Sequence, residues 1–340
     1  MTAAPSRRFV APGKLMIAGE YAVLGPSGEA LAVAVQAGVT LDAFPASVWE
    51  LARAEDGTTW REPDGSAAVP EALRFAHAAW TTARAALAAG DATPPPPHRL
   101  VTRPDGDAGT GDRKPGVGGS ASATAAVTAA LFGLAGRDVP AERAAILAAA
   151  LRAHRAAQGG EGSGYDVATV VHGGLVHWRR GAAAALPWPD GLHVLAGYSG
   201  RSARTVGFLQ RVESLRAADA ARLAAELDAL AAPVRALLAA FGAASVPAVL
   251  QSVRDCHDAL AAWDRAHGLG IVTAEIAQLR ALAAAEGAAA KVSGAGGGDS
   301  VLAFAADPSV LDATARAWRD AGFRPFAVAR TDHGVHEAHA

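Results

Sequence analysis

KPGVGGSASATAAV, residues 114–127, sets three glycines and two serines ahead of an apolar helix, and what precedes it decides among folds. Backbone N–H groups at a helix start point one way. With the helix dipole they form an anion site, and small side chains let a phosphate approach. Gly116, Gly118 and Ala121 imitate the spacing of a dinucleotide fingerprint, but that fingerprint needs a strand directly before its first glycine. Here the polar, glycine-rich loop PDGDAGTGDRKPG precedes it, and the pattern GxxxxGK[ST] occurs nowhere in the chain. The stretch reads as a phosphate loop that is neither Rossmann nor Walker in type. Ser120 and Ser122 can add hydroxyl donors or a magnesium ligand.

Two more places join it. AKVSGAGGGDSVLAF (290–304) strips the side chains from a loop just before an apolar run with the character of a buried strand. Glycine is costly to fix, so such a loop marks a sharp turn or a close approach. Lys14, in FVAPGKLMIAGEYAVL, and Asp166, in GSGYD, each stand beside glycines in a run otherwise poor in charge. A carboxylate near a substrate oxygen can accept its proton, and a neighbouring ammonium can stabilise the transferred phosphoryl group.

Outward from these motifs, strands and helices interleave, which makes the class α/β or α+β. Strands are expected within 7–44, near 98–103, 175–178, 192–200 and 299–304, and in PFAVAR. Helices are expected over 69–89, from Ser120, over 141–157, around Asp166, and in blocks near 207–241, 247–266, 273–286 and 309–321. A domain boundary is expected near residue 190, giving units 1–190 and 191–340. The tail DHGVHEAHA, with His333, His336 and His339, reads as solvated.

The 340 residues are 51% hydrophobic and 19% charged, with net charge −2, so the chain is globular and lacks the basic face that nucleic acid requires. No run reads as a signal peptide or membrane span, and the single Cys256 permits no internal disulfide. A cytoplasmic protein, monomeric or homodimeric, is the expectation.

APGKLMIAGEYAVL, PGVGGSASA and KVSGAGGGDS, in this order, resemble the three signatures of the GHMP kinases, small-molecule kinases that use ATP without a P-loop. The resemblance runs from about Phe9 to the last strand. It implies an α+β (α/β) fold: an N-terminal domain like ribosomal protein S5 domain 2, a C-terminal ferredoxin-like domain, and an active site between them. AHRAAQGGEGSGYDVA (153–168) and GYSGRSART (197–205) are similar to segments of the phosphomevalonate kinases within that family, as are Tyr21 and the Lys114 that leads into the loop.

The implied activity is ATP-dependent phosphorylation of 5-phosphomevalonate, with ATP and Mg2+ as cofactors. The alternatives are mevalonate, homoserine or sugar kinase, mevalonate-diphosphate decarboxylase, and an ATP-binding homologue without catalysis. By resemblance, Lys14 and Asp166 are catalytic. Lys114, Gly116, Val117, Gly118, Gly119, Ser120, Ala121 and Ser122 hold the nucleotide, with Ser120 near the metal. Glu20, Tyr21, Ser163, Gly164, Ser199, Ser202, Arg204, Thr205, Gly294, Ala295, Gly296 and Gly297 line the substrate side. Two departures stand out. The usual GLGSS is GVGGS, which removes a hydroxyl at Gly119. Mevalonate kinases carry a magnesium-binding Glu eleven positions before the catalytic Asp, an offset that lands on Arg155.

Overall fold

The strand β1, Arg7–Ala18, is buried without a break from Ala11 to Ala18, the signature of a strand covered on both faces. It belongs to a computed structural model that describes residues 5–62, 68–90, 93–105, 116–160, 162–201 and 205–338. β1 pairs antiparallel with the long β2, Glu29–Pro45, through two register shifts, one of them at Pro12. A proline within a strand is tolerated at such a bulge. On its other edge β2 carries two partners: β5, His98–Pro104, along one half and β6, Leu175–Arg179, along the other. β3, Glu50–Arg53, runs parallel to β5, while β4, Thr59–Arg61, and β7, Ala182–Leu186, extend the edges.

Against this sheet lie α2, Gly119–Leu134, and α4, Tyr165–His172, with α1, Arg74–Ala89, and α3, Arg143–Ala157, packed outside them. The helix α2 is buried on nearly every side, as its uninterrupted small and apolar sequence requires. Its internal hydroxyls are satisfied by the preceding turn: Thr124 donates to the Ser120 carbonyl and Thr128 to that of Thr124, both at 2.8 Å.

The second sheet comprises β8, His193–Tyr198; β9, Ala289–Ser293; β10, Ser300–Ala305; and β11, Arg324–Ala327. Its order is β11-β8-β10-β9, all antiparallel, which is the fourth-first-third-second arrangement of a ferredoxin-like sheet. The helices α8, Ala274–Ala285, and α9, Pro308–Asp320, cover it. Between β8 and α8 come α5, Thr205–Ala218; α6, Ala220–Gly242; and α7, Val246–His267. The helical block expected from 207 to 241 is divided at Asp219, whose side chain caps α6 by accepting from Arg222 N. One apolar core runs from Leu15, Ile17 and Val33 of the first sheet through Leu227 and Leu237 to Val292, Leu302 and Trp318 of the second.

The tail corrects one expectation. Val335 is buried, and β12, His336–Ala338, pairs with β1 at the edge of the first sheet. The rings of His333 and His336 lie near one another at a tilt, but no metal-binding group of three or more His, Cys, Asp or Glu occurs among the described residues. His339 lies outside them. Cys256 is buried in α7, and burial pushes its thiol up to about 12, so it is inert.

Candidate active site

Four backbone segments converge where β1 passes the start of α2. Lys14 N donates to the Val117 carbonyl at 2.8 Å, stitching the strand to the glycine loop. Gly118 caps α2 in the left-handed region, with φ of 84°. A Cβ there would stand 2.9 Å from the Lys14 side chain, so the lysine stem can lie flat against the loop only because position 118 is glycine. No side chain caps α2 and no acidic residue occupies its first turn. The N–H groups of Gly119, Ser120 and Ala121 therefore stand at a helix start with the positive dipole end behind them.

Lys14 is 9% exposed, and its Nζ lies 3.4 Å from the Gly116 carbonyl and 5.7 Å from the Tyr165 ring centre. Burial lowers its pKa, while the carboxylates of Asp166, Asp299 and Glu20 pull it back up. Asp166 enters from the first turn of α4, whose start is set by Gly164 in the left-handed region. One of its oxygens accepts from Val167 N at 2.9 Å. The other faces His154 Nε2 at 3.8 Å, and that nitrogen lies 3.3 Å from Ser120 Oγ. His154 is 3% exposed, and burial lowers its pKa, followed by the opposing pull of Asp166 and the added push of Lys14 and Arg74.

The glycine loop between β9 and β10 closes the other side. Gly297 N donates to Ile271 O, and Asp299 N donates to Arg201 O at 2.7 Å. A Cβ on Gly116 would lie 3.1–3.2 Å from the Asp299 side chain, so the two glycine loops meet face to face. The loop is tethered to the first motif. Glu20 pairs with the buried Lys291 and accepts from Gly294 N at 3.4 Å, and Tyr21 OH donates to the Ala295 carbonyl at 2.5 Å. Ser293 Oγ adds a bond to Met16 O at 2.8 Å. Burial raises the Tyr21 phenol well above its ordinary range, so it stays a neutral donor.

The expected residues thus separate into groups. Lys14, Asp166, Ser120 and the loop 116–121 come together, and Gly294, Ala295, Gly296 and Gly297 face them with Ser199 at the end of β8 beside Asp299. Ser163 and Gly164 form the approach to α4. Ser122 is fully buried, and its hydroxyl lies 2.7 Å from Pro12 O, so it anchors α2 to β1. Glu20 and Tyr21 act as tethers between the first and third motifs. Lys114, Ser202 and Arg204 lie outside the described residues, as does the side chain of Thr205. Arg155 is exposed, and the α3 residue that turns into the site is its neighbour His154. Sequence reading assigned no role to His154, Asp299 or Lys291. The one signal for His154 was a polar ring in the apolar register of an alanine-rich helix.

The GHMP kinases N terminal domain matches residues 109–174 and the GHMP kinases C terminal domain matches 248–323. The phosphomevalonate kinase of Streptomyces sp. (strain CL190) is 27% identical over 373 aligned residues, covering 96% of this chain and 97% of that protein. The Lin0012 protein of Listeria innocua superposes with a TM-score of 0.86 at 22% identity over 98% of this chain and 99% of its own. The Streptococcus pneumoniae phosphomevalonate kinase in complex with phosphomevalonate and AMPPNP superposes at 0.78 with 19% identity, covering 94% and 99%.

Proposed function

The chain belongs to the GHMP kinases, and from that premise we propose that it transfers the γ-phosphoryl group of MgATP to the phosphate of 5-phosphomevalonate. A bond forms between an acceptor phosphate oxygen and the γ-phosphorus, the β–γ bridging P–O bond breaks, and ADP leaves with the electron pair. The products are ADP and 5-diphosphomevalonate. The observation that carries the reading is the meeting of Lys14 and Asp166 at the uncapped start of α2, in a chain similar along its whole length to a phosphomevalonate kinase.

The transition state of phosphoryl transfer is loose, so positioning and charge neutralisation do most of the catalytic work. The N–H groups of residues 119–121 bind the nucleotide phosphates. Lys14 screens the repulsion between donor and acceptor phosphates. Asp166 orients the acceptor rather than deprotonating it, since a phosphate acceptor is already ionised. Ser199, with Ser202, Arg204 and Thr205, holds the acceptor's anionic end.

The donor set fits magnesium. Ser120 Oγ and the Asp166 carboxylate are hard oxygen donors, and no larger acidic cluster is needed for a cation held chiefly by the nucleotide's phosphates and water. The metal, when bound, neutralises charge on those phosphates. No helix among the described residues is long and apolar enough to cross a membrane, and we place the enzyme in the cytoplasm, where ATP is available.

The test is ADP release by the purified protein with MgATP and, separately, 5-phosphomevalonate, mevalonate, homoserine and galactose. Release with 5-phosphomevalonate alone is expected. Release with one of the others instead replaces the acceptor and leaves the Lys14–Asp166 chemistry, and silence with all four rejects catalysis.

A further inference from the structure

Helix α3 presents an imidazole to the reaction centre, and the phosphoryl-transfer scheme above gives that imidazole nothing to do. His154 is 3% exposed, and its Nε2 stands 3.3 Å from Ser120 Oγ on the phosphate loop and 3.8 Å from Asp166 Oδ2 on α4. The Phe75 ring of α1 lies 5.0 Å from the imidazole centre with 31° between the planes, so the ring is held from behind. Arg155, the next residue of the same helix, is exposed. One nitrogen therefore spans the nucleotide side and the acceptor side of the site.

The donor inventory around the ring favours one position for its hydrogen. An ionised Asp166 only accepts, so a bare Nε2 facing it would oppose lone pair to lone pair. With the hydrogen on Nε2, the imidazole donates to Ser120 Oγ and lies favourably toward the carboxylate. Ser120 Oγ has no other protein partner among the described residues, so its own hydrogen is then free to donate outward. The opposite tautomer would draw that hydrogen back into the protein.

We infer that His154 is the positioning residue of this site: its Nε2–H, donated to Ser120 Oγ, aims the serine O–H at the nucleotide phosphates, and the same N–H turns its positive end toward the Asp166 carboxylate 3.8 Å away. This inference rests on the kinase reading of the same site. It explains why α3 turns a histidine inward at the point where a carboxylate would place a second negative charge beside Asp166.

Two measurements test it. The first is 15N NMR of the full chain labelled at histidine nitrogens, with the His154 signals identified by their loss in His154→Gln. A hydrogen on Nε2 is expected at neutral pH. Hydrogen confined to Nδ1 overturns the inference, whichever acceptor the enzyme uses, so this arm stands apart from the acceptor assignment.

The second measurement is steady-state kinetics with the acceptor that releases ADP. His154→Gln, whose amide N–H reaches the Nε2 position, should keep kcat within about threefold, whereas His154→Leu should lose roughly 30- to 100-fold in kcat with KM for MgATP nearly unchanged. Wild-type kcat in His154→Leu overturns the inference. So does a Gln variant as slow as the Leu variant when both melt with the wild type. If His154→Leu fails to fold, the Gln variant and the tautomer decide.

Discussion

Lys291 and Glu20 meet inside the protein at 0% and 3% side-chain exposure, one from the strand entering the glycine loop and the other from the end of the first motif. The pair joins the second sheet to the first directly beneath the site, and the Val292 carbonyl at 2.6 Å takes a second bond from the ammonium. Removing one partner of a buried pair leaves an uncompensated charge. Lys291→Met or Glu20→Gln alone should therefore cost about 3–5 kcal/mol, while replacing both should cost less than the sum. Denaturant unfolding of the two single variants and the double variant checks this, and additive losses would show that the residues do not act as a pair.

Lys14 lies at the site at the expense of stability. Its folded pKa is lowered chiefly by burial, so between that value and the ordinary lysine value the unfolded chain binds more protons, and stability rises with pH through that window. Below that window the buried charge weighs against the fold. Lys14→Met should abolish most turnover, by about 100-fold or more, while leaving the nucleotide's affinity within a few-fold. The same variant should melt no lower than wild type at pH 7, and higher by about 1–3 °C. ADP release, nucleotide titration and calorimetry measure the three. Wild-type turnover should also fall on the alkaline side at a lower pH than an exposed lysine would give.

Two neighbouring glycines should respond oppositely. Gly118→Ala meets the Lys14 stem and a left-handed backbone, so it should cost about 1–2 kcal/mol of stability and weaken nucleotide binding at least tenfold. An added Cβ at Gly119 has open space around it at the first turn of α2. Gly119→Ser should fold like wild type and bind MgATP as tightly or more tightly. Melting curves and nucleotide titrations of the pair decide it, and equal damage from both changes would contradict the loop geometry.

The two serines of the loop also separate. Ser122→Ala leaves the Pro12 carbonyl buried without its donor and should cost about 1–3 kcal/mol of stability, with the magnesium dependence of turnover unchanged. Ser120→Ala should shift that magnesium dependence and leave the melting point nearly in place. Activity titrated with magnesium, set against thermal unfolding of each variant, tells anchor from ligand.

The residues that could be read from sequence were those whose spacing carries a local rule. PGVGGSASA announces a helix start without a capping side chain, and the Ala-rich blocks announce helices. The glycine loop's fold partner was harder. That Glu20 pairs with Lys291 depends on a sheet-to-sheet contact over most of the chain, which no window contains. Ser122 looked equivalent to Ser120 because burial, and not residue type, separates them. His154 and Arg155 are adjacent in sequence, and only the packing of α3 on α4 decides which of them faces Asp166. The strand Ala182–Leu186, AAAAL, has helical propensity throughout, and its pairing with β6 overrides it.

The strand His336–Ala338 gives the molecule a clasp. Arg8 lies opposite Ala338, and Gln36 N donates to Ala329 O, so the first sheet is finished by residues that follow the entire second sheet in the chain. Loop closure over that separation is slow and entropically costly, so this edge can form only after both halves are present. A ribosome-bound chain should hold an incomplete first sheet until residues 336–338 emerge. The clasp returns the segment that leaves the second sheet to the edge of the first, so melting that edge and freeing that segment are one event.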